Sequence, residues 1–172
     1  ELPEAGLPAL YGAMKPVPVL IGTNRDEFSL FSELSMFRID SRKTALAEWV
    51  ESAAGAETAR RISRLYSDDR DGRIGFGTDL LFRMAAIHQA EDHSSRAPTF
   101  MYRLDWEAKG LMSRLGATHS VDLPLLFQDF LKPFRAVYLG ILPDPRRQAL
   151  AERMRSHWMR FIKQGRPGED WP

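Results

Sequence analysis

The chain has four histidines, at positions 88, 93, 119 and 157, and His119 stands where a proton could be put to use. It lies in the stretch GATHSVDLPLLF, after a run of β-forming residues and a loop that carries glycine, with Asp122 three residues on. Imidazole titrates near neutral pH, which suits it to take and return protons. Enzymes with alternating strands and helices place such a base on a loop beyond a strand end, because ligands bind outside the carboxyl ends of the strands. Glu27 meets the same positional test. In GTNRDEFSLF it follows the apolar run VPVLI, with Asp26 beside it. A carboxylate that accepts from one ring nitrogen fixes the tautomer and stabilises the imidazolium that forms during proton transfer. The plainer reading of an acid pair is a solvated charge or a cap, with Asp26 accepting backbone N–H groups at the start of the next helix.

Taken together the two residues say more than either alone. Glu27 precedes His119 by 92 residues, with a strand-like run before each. Acid before histidine is the order in which one large class of serine hydrolases carries the last two members of its triad. The other histidines suggest less. His88 and His93 are five apart, not the four of a helical metal pair, and no HExxH occurs. His157 sits beside Trp158 among charged residues and reads, like those two, as a surface or packing histidine.

Composition narrows the chemistry further. The chain contains no cysteine, which excludes disulfides, zinc–thiolate sites and a catalytic thiol. It does not fix the compartment but removes the commonest sign of an oxidising one, and the location expected for the chain is cytoplasmic. With 24 basic and 23 acidic residues the formal net charge is +1, and no basic run exceeds a pair such as Arg60–Arg61 or Arg146–Arg147. That balance offers no electrostatic footprint for nucleic acid or an anionic membrane. No apolar stretch approaches a membrane span, and the N-terminal ELPEAGLPAL has neither the basic nor the apolar region of a signal peptide.

The elements that must position these residues can be sketched from periodicity. Residues 1–16 hold three prolines and two glycines and read as irregular. VPVLIG (17–22) suits a short buried strand with Pro18 at its first residues. A strand-to-helix turn is expected near 23–28. Helical patterns follow in DSRKTALAEWVESAAG, capped by Asp40 or Ser41 and stopped by Gly55, and in ETARRISRLY (57–66). A third runs from a cap at Thr78 or Asp79 to about residue 93, ahead of Pro98. TFMYRLDW (99–106) alternates and reads as a strand, while THSVDLPLLF resists assignment. The last helix is the clearest. Asp144 caps it, Pro145 takes the first position, Leu150, Met154, Trp158 and Phe161 share a face, and Gly165 closes it. Strands separated by helical stretches predict an α/β arrangement with parallel pairing. Two strands make a poor sheet, so the chain is expected to be cut out of something longer.

These stretches resemble one family. PVPVLIGTNRDEFSLF is similar to the acid-bearing segment of the type B carboxylesterases, the family of cholinesterases and bacterial para-nitrobenzyl esterases. LGATHSVDLPLLF resembles its histidine segment, usually G-A-x-H-x-x-[DE]-[LI]-x-x-[VL]-F, and PTFMYRLDW resembles the strand before it. The final HWMRFIKQGRPGEDWP is similar to the family's C-terminal helix and the Trp-Pro that follows. The resemblance covers most of residues 16–172. It implies the C-terminal part of an α/β-hydrolase fold, no cofactor and no metal, and hydrolysis of small carboxylic esters through a Ser-Glu-His triad. Glu27 matches the triad acid and His119 the triad base. Asp122 matches the acid after the histidine, a support for that loop, and Asp26 the flanking acid that holds the turn.

Two departures bear on this. Family members often carry glycine where this chain has Phe28, so the local turn differs or Phe28 packs into a pocket. More consequentially, no G-x-S-x-G elbow and no HGGG-like segment occurs in the 172 residues. The expectation is therefore a single C-terminal portion spanning 1–172, with the nucleophile-bearing portion absent, inactive by itself, and inclined to self-associate through uncovered sheet and apolar surface. Trp49, Phe76, Phe82 and Met84 are candidates for pocket or core, with core favoured. Two other readings compete: a non-catalytic, cholinesterase-like binding or adhesion module, and an unrelated α/β domain in which the motifs coincide by chance.

Overall fold

The structure, a computed structural model, describes residues 15–34, 39–127 and 132–171. The irregular segment expected over residues 1–16 thus falls almost wholly outside the described residues. Strands β1 (Val19–Asn24) and β2 (Thr99–Leu104) pair in parallel, with Val19 opposite Thr99 and Asn24 opposite Leu104. Among the described residues they form a two-stranded sheet. The first strand lies two residues later than its apolar run. Pro18 has no N–H and stays ahead of the ladder. Buried Thr23 and Asn24 extend it, and Arg25 N–H still donates to Leu104 O at 2.9 Å.

Helix α1 (Ser29–Glu33) follows the turn at the end of β1. Helices α2 (Lys43–Ala54) and α3 (Ala56–Ser63) are separated by Gly55 alone, whose φ of 83° suits a residue without Cβ. Arg42 occupies the cap position of α2, not Asp40 or Ser41. The Asp40 carboxylate bonds Arg42 instead. Trp49, a candidate for pocket or core with core favoured, is 46% exposed, while Leu46 and Val50 are buried.

The largest difference concerns the third helical signal. Helix α4 (Arg70–Thr78) begins well before the expected cap at Thr78 or Asp79 and is capped by Asp69, which accepts from Gly72 N–H. A π-helical turn, Asp79–Arg83, joins it to α5 (Met84–Ser94). Three glycines, at 72, 75 and 77, obscured α4, since glycine disfavours helices on its own. Packing explains two of them. A Cβ on Gly72 would lie 2.1 Å from Ser67 O, and one on Gly77 would lie 2.1 Å from the Phe28 ring.

After β2, a 3-10 turn at Ser113–Leu115 precedes the histidine loop, and α6 (Leu123–Leu126) and α7 (Lys132–Leu139) follow it. Helix α8 (Pro145–Gln164) forms as its spacing predicts. The Asp144 carboxylate accepts from Arg146 and Arg147 N–H, and Gly165 closes it at φ 70°. Two apolar clusters frame the sheet. Leu104, Val121, Leu125 and Ala151 centre one, packed by Leu150 and Met154 of α8. Phe28, Leu46, Val50 and Phe76 centre the other.

Candidate functional site

Glu27 reaches the histidine loop because the chain turns sharply at the end of β1. Asn24 N–H donates to Glu27 Oε1 at 2.7 Å, so the strand's last amide holds the carboxylate that follows it. The second oxygen, Oε2, lies 2.7 Å from His119 Nδ1. Both oxygens are thus engaged, and Glu27 is 6% exposed. A buried carboxylate needs such partners to offset its desolvation. The hydrogen bond that His119 donates to the Glu27 carboxylate raises the imidazole above its ordinary value, against an opposing push from burial. Proton affinity at His119 is therefore set first by this one contact.

Asp26 does a different job from its neighbour. Its N–H donates to Ala117 O at 2.9 Å, and its Oδ2 accepts from Ala117 N–H at 2.9 Å. An isolated parallel bridge pairs Asp26 with Thr118. Arg25 adds a second partner to the same carboxylate at 3.0 Å. Asp26 therefore splices the acid turn to the histidine loop, as a brace and not a helix cap. Ser29 strengthens the join, with Oγ 2.7 Å from both Leu115 O and Thr118 Oγ1. On the other side, Phe28 N–H donates to Thr78 Oγ1 at 3.0 Å.

Phe28 occupies the position expected to disturb this turn. Its φ is −73°, ordinary for any residue, and its side chain is wholly buried. The ring seats against Gly77, so the bulky residue is accommodated by a glycine on α4 and Glu27 is not displaced. Asp122 sits at the start of α6, half-buried, and accepts weakly from Asn24 Nδ2 at 3.4 Å. Burial pushes its carboxyl up, with the Asn24 amide opposing. Its side chain thus meets the acid turn across the site. Ser120, next to His119, has a φ of 67°, a left-handed conformation rare for non-glycine residues and frequent at functional sites.

His119 lines an open cleft of about 480 Å³, with Thr23, Glu27, Phe82, Tyr102 and Asp122 among its other walls. Phe31 and Phe82 flank the imidazole, with ring centroids 5.2 and 5.5 Å from it. Of the four aromatic or thioether candidates, Phe82 lines the cleft and Phe76 is core, 1% exposed. Trp49 and Met84 are neither, at 46% and 42% exposed. The sequence did not single out Asn24, Ser29, Phe31 or Thr118 as parts of the site, and it offered Thr78 only as a helix cap. Asn24 and Ser29 flank the acid pair, the one signal that pointed toward them.

The remaining histidines stand apart. His88 is exposed beside Glu91. His93 is buried with Nε2 2.7 Å from Val17 O, and His157 is buried with Nδ1 2.8 Å from Pro167 O. Among the described residues no group of three or more His, Asp or Glu is placed to hold a metal ion.

The chain is 33% identical over 167 residues to the para-nitrobenzyl esterase of Bacillus subtilis (strain 168), covering 94% of this chain and 32% of that protein. It is 25% identical over 179 residues to the human cocaine esterase, covering 92% of this chain and 31% of that protein. Among solved structures, a thermophilic PNB esterase superposes with a TM-score of 0.74 at 30% identity, covering 94% of this chain and 33% of that one. A second PNB esterase structure gives 0.72 at 30% identity, covering 90% and 32%. The chain thus spans about a third of the length of the relatives it matches, and the two strands with their mostly helical surroundings are part of an α/β-hydrolase fold. The sequence pattern described as the carboxylesterase family matches residues 2–172, and the chain belongs to that family.

Proposed function

We propose that Glu27 and His119 are the acid and the base of a Ser-Glu-His triad that hydrolyses small carboxylic esters. The observation that carries this reading is the 2.7 Å contact between Glu27 Oε2 and His119 Nδ1, made by a buried carboxylate at the wall of an open cleft. With Nδ1 held by Glu27, Nε2 is the nitrogen left to exchange protons. It would take the proton of a serine hydroxyl as that oxygen attacks the ester carbonyl. It would then return the proton to the leaving alcohol, and repeat the cycle with water on the acyl-enzyme. Glu27 stabilises the imidazolium formed at each of these steps.

The attacking serine in this reading comes from outside the 172 residues, which contain no G-x-S-x-G sequence. Residues 1–172 therefore act as one portion of a longer esterase and, taken alone, do not turn over esters. The test is hydrolysis of a short-chain p-nitrophenyl ester by this chain beside its His119→Ala variant. Neither should exceed the slow background of an imidazole in solution. Enzyme-like turnover by the chain, abolished by His119→Ala, would place the nucleophile within these residues and overturn that part of the proposal. In a serine-bearing polypeptide that contains these residues, Glu27→Gln should lower kcat by roughly ten-thousand-fold, the cost of losing the acid that holds the tautomer.

A further inference from the structure

The π-helical turn Asp79–Arg83 carries two side chains to the candidate site by different routes. Phe82 lies against the His119 ring. Arg83 runs underneath the acid turn. Its Nη2 donates to Arg25 O at 2.7 Å and, more weakly, to Asn24 O at 3.4 Å. Its Nη1 donates to Asp79 Oδ1 at 2.7 Å, and Asp79 Oδ2 accepts from the Tyr66 hydroxyl at 2.8 Å. A chain of three side chains thus ends on two successive backbone carbonyls. Those carbonyls belong to the last residue of β1 and the one after it, and Asn24 is the residue whose N–H holds Glu27 Oε1. Both residues belong to the π turn that interrupts the α-helical register between α4 and α5, and such turns are frequent at functional sites.

We propose that Arg83, aimed by Asp79 and Tyr66, is a positioning residue for the Glu27–His119 pair. It fixes the peptide units around Asn24 and so sets where the Glu27 carboxylate meets the imidazole. The forked guanidinium suits this task because it can grip a carboxylate with one nitrogen and a carbonyl with another. The inference rests on the reading of Glu27 and His119 as a working acid–base pair. The charged and titratable groups that bear on the two ends of the relay are Asp79, Tyr66 and Asp105 around Arg83, and Glu27 and Asp122 around His119.

The test is the titration midpoint of the His119 ring protons by NMR in the 172-residue chain. It is measured for the unaltered protein and for Glu27→Gln, Arg83→Gln, Asp79→Asn and Tyr66→Phe. Glu27→Gln should lower the midpoint, because it removes the carboxylate that raises it. Arg83→Gln should lower it in the same direction by a measurable fraction of that drop, and Asp79→Asn and Tyr66→Phe by smaller fractions. A tie that merely held α4 to the sheet would leave the midpoint alone. If Glu27→Gln lowers it while Arg83→Gln and Asp79→Asn leave it in place, the positioning role is wrong and the acid–base pair stands. If Glu27→Gln does not lower it, the pair itself is wrong. Should Arg83→Gln lose native circular dichroism, Asp79→Asn and Tyr66→Phe decide the matter, since each keeps the guanidinium and removes only what aims it. An unmoved midpoint in both overturns the proposal.

Discussion

Gly77 and Phe28 should be energetically coupled strongly enough to reverse the sign of one substitution. Gly77 lies inside α4 with no left-handed φ, so alanine is conformationally allowed there and favours the helix by about 1 kcal/mol. The obstacle is steric. A Cβ at residue 77 would lie 2.1 Å from one Phe28 ring carbon and 2.3 Å from the next. Phe28 is wholly buried and packed in the cluster with Leu46, Val50 and Phe76, so it cannot turn out toward solvent. Overpacking costs about 1–3 kcal/mol, and a 2.1 Å approach to a ring belongs in the upper part of that range, about 2–3 kcal/mol, so Gly77→Ala should destabilise the chain by about 1–2 kcal/mol net of propensity. Phe28→Ala alone should cost about 3–5 kcal/mol, as for other buried phenylalanines. In the Phe28→Ala background the new methyl enters the space the ring has left. Gly77→Ala should then stabilise by about 1–2 kcal/mol, adding helix propensity to about 0.8 kcal/mol for a buried methyl. The assay is urea unfolding of the four proteins of the cycle. With a slope of about 2 kcal/mol per molar urea for a chain of this size, each step moves the midpoint by roughly half a molar or more. Equal effects of Gly77→Ala in both backgrounds, within about 0.5 kcal/mol, would refute the seat of Phe28 on Gly77 and with it the account of how the acid turn tolerates a bulky residue.

Other outcomes follow from the same geometry. Because Glu27 raises the folded-state value of His119, the pair's contribution is present in full below the ordinary imidazole value and is lost as pH rises through the raised one. Glu27→Gln should therefore lower the urea midpoint more at about pH 5 than at about pH 9. The difference should be on the order of 1 kcal/mol, less than for a fully buried charged hydrogen bond because the His119 side chain is 39% exposed. A larger effect at the alkaline end would invert the assigned cause. Asp144→Ala should cost about 1 kcal/mol in the same measurement, since it removes the acceptor for two N–H groups at the start of α8. Neither strand is paired on its outer side among the described residues, so the chain in isolation should self-associate. A monomeric mass by light scattering at high concentration would count against that expectation.

The parts legible in the sequence were those in which local chemistry and packing agree. Asp144, Pro145 and Gly165 mark the ends of α8 in the residues themselves, and the structure keeps both boundaries. His119 and the acid pair Asp26–Glu27 were legible for a related reason, and the resemblance to the carboxylesterases singled out Glu27 of the two. Each follows a β-forming run, and a strand end is where an open cleft and a partner loop can meet. What could not be read was held by contacts far apart along the chain. Helix α4 has a glycine-rich sequence that is weak as a helix, and it becomes one because Gly72 and Gly77 let Ser67 and Phe28 close in. Its true cap, Asp69, gave way in the sequence to Thr78 and Asp79, which carry equally good capping side chains but spend them on Phe28 N–H and on Arg83 and Tyr66.

That exchange of roles also explains the acid pair. Nothing in the dipeptide Asp26–Glu27 says which carboxylate faces the imidazole, because side-chain direction after a strand depends on the turn. The turn is settled by partners 50 to 91 residues away: Thr78 on Phe28 N–H and Ala117 on Asp26. With Asp26 bonded to the histidine loop's backbone, the following residue is the one swung toward His119. Exchanging the two acids for their amides should therefore give unlike results. Asp26→Asn keeps an acceptor for Ala117 N–H but loses its charge toward Arg25, a partly exposed pairing worth about 0.5 kcal/mol, and should leave the His119 titration nearly where it was. Glu27→Gln should move it. If the two variants shift His119 equally, the imidazole responds to the summed charge of the turn and not to one oriented carboxylate. The division of labour between brace and partner would then be wrong.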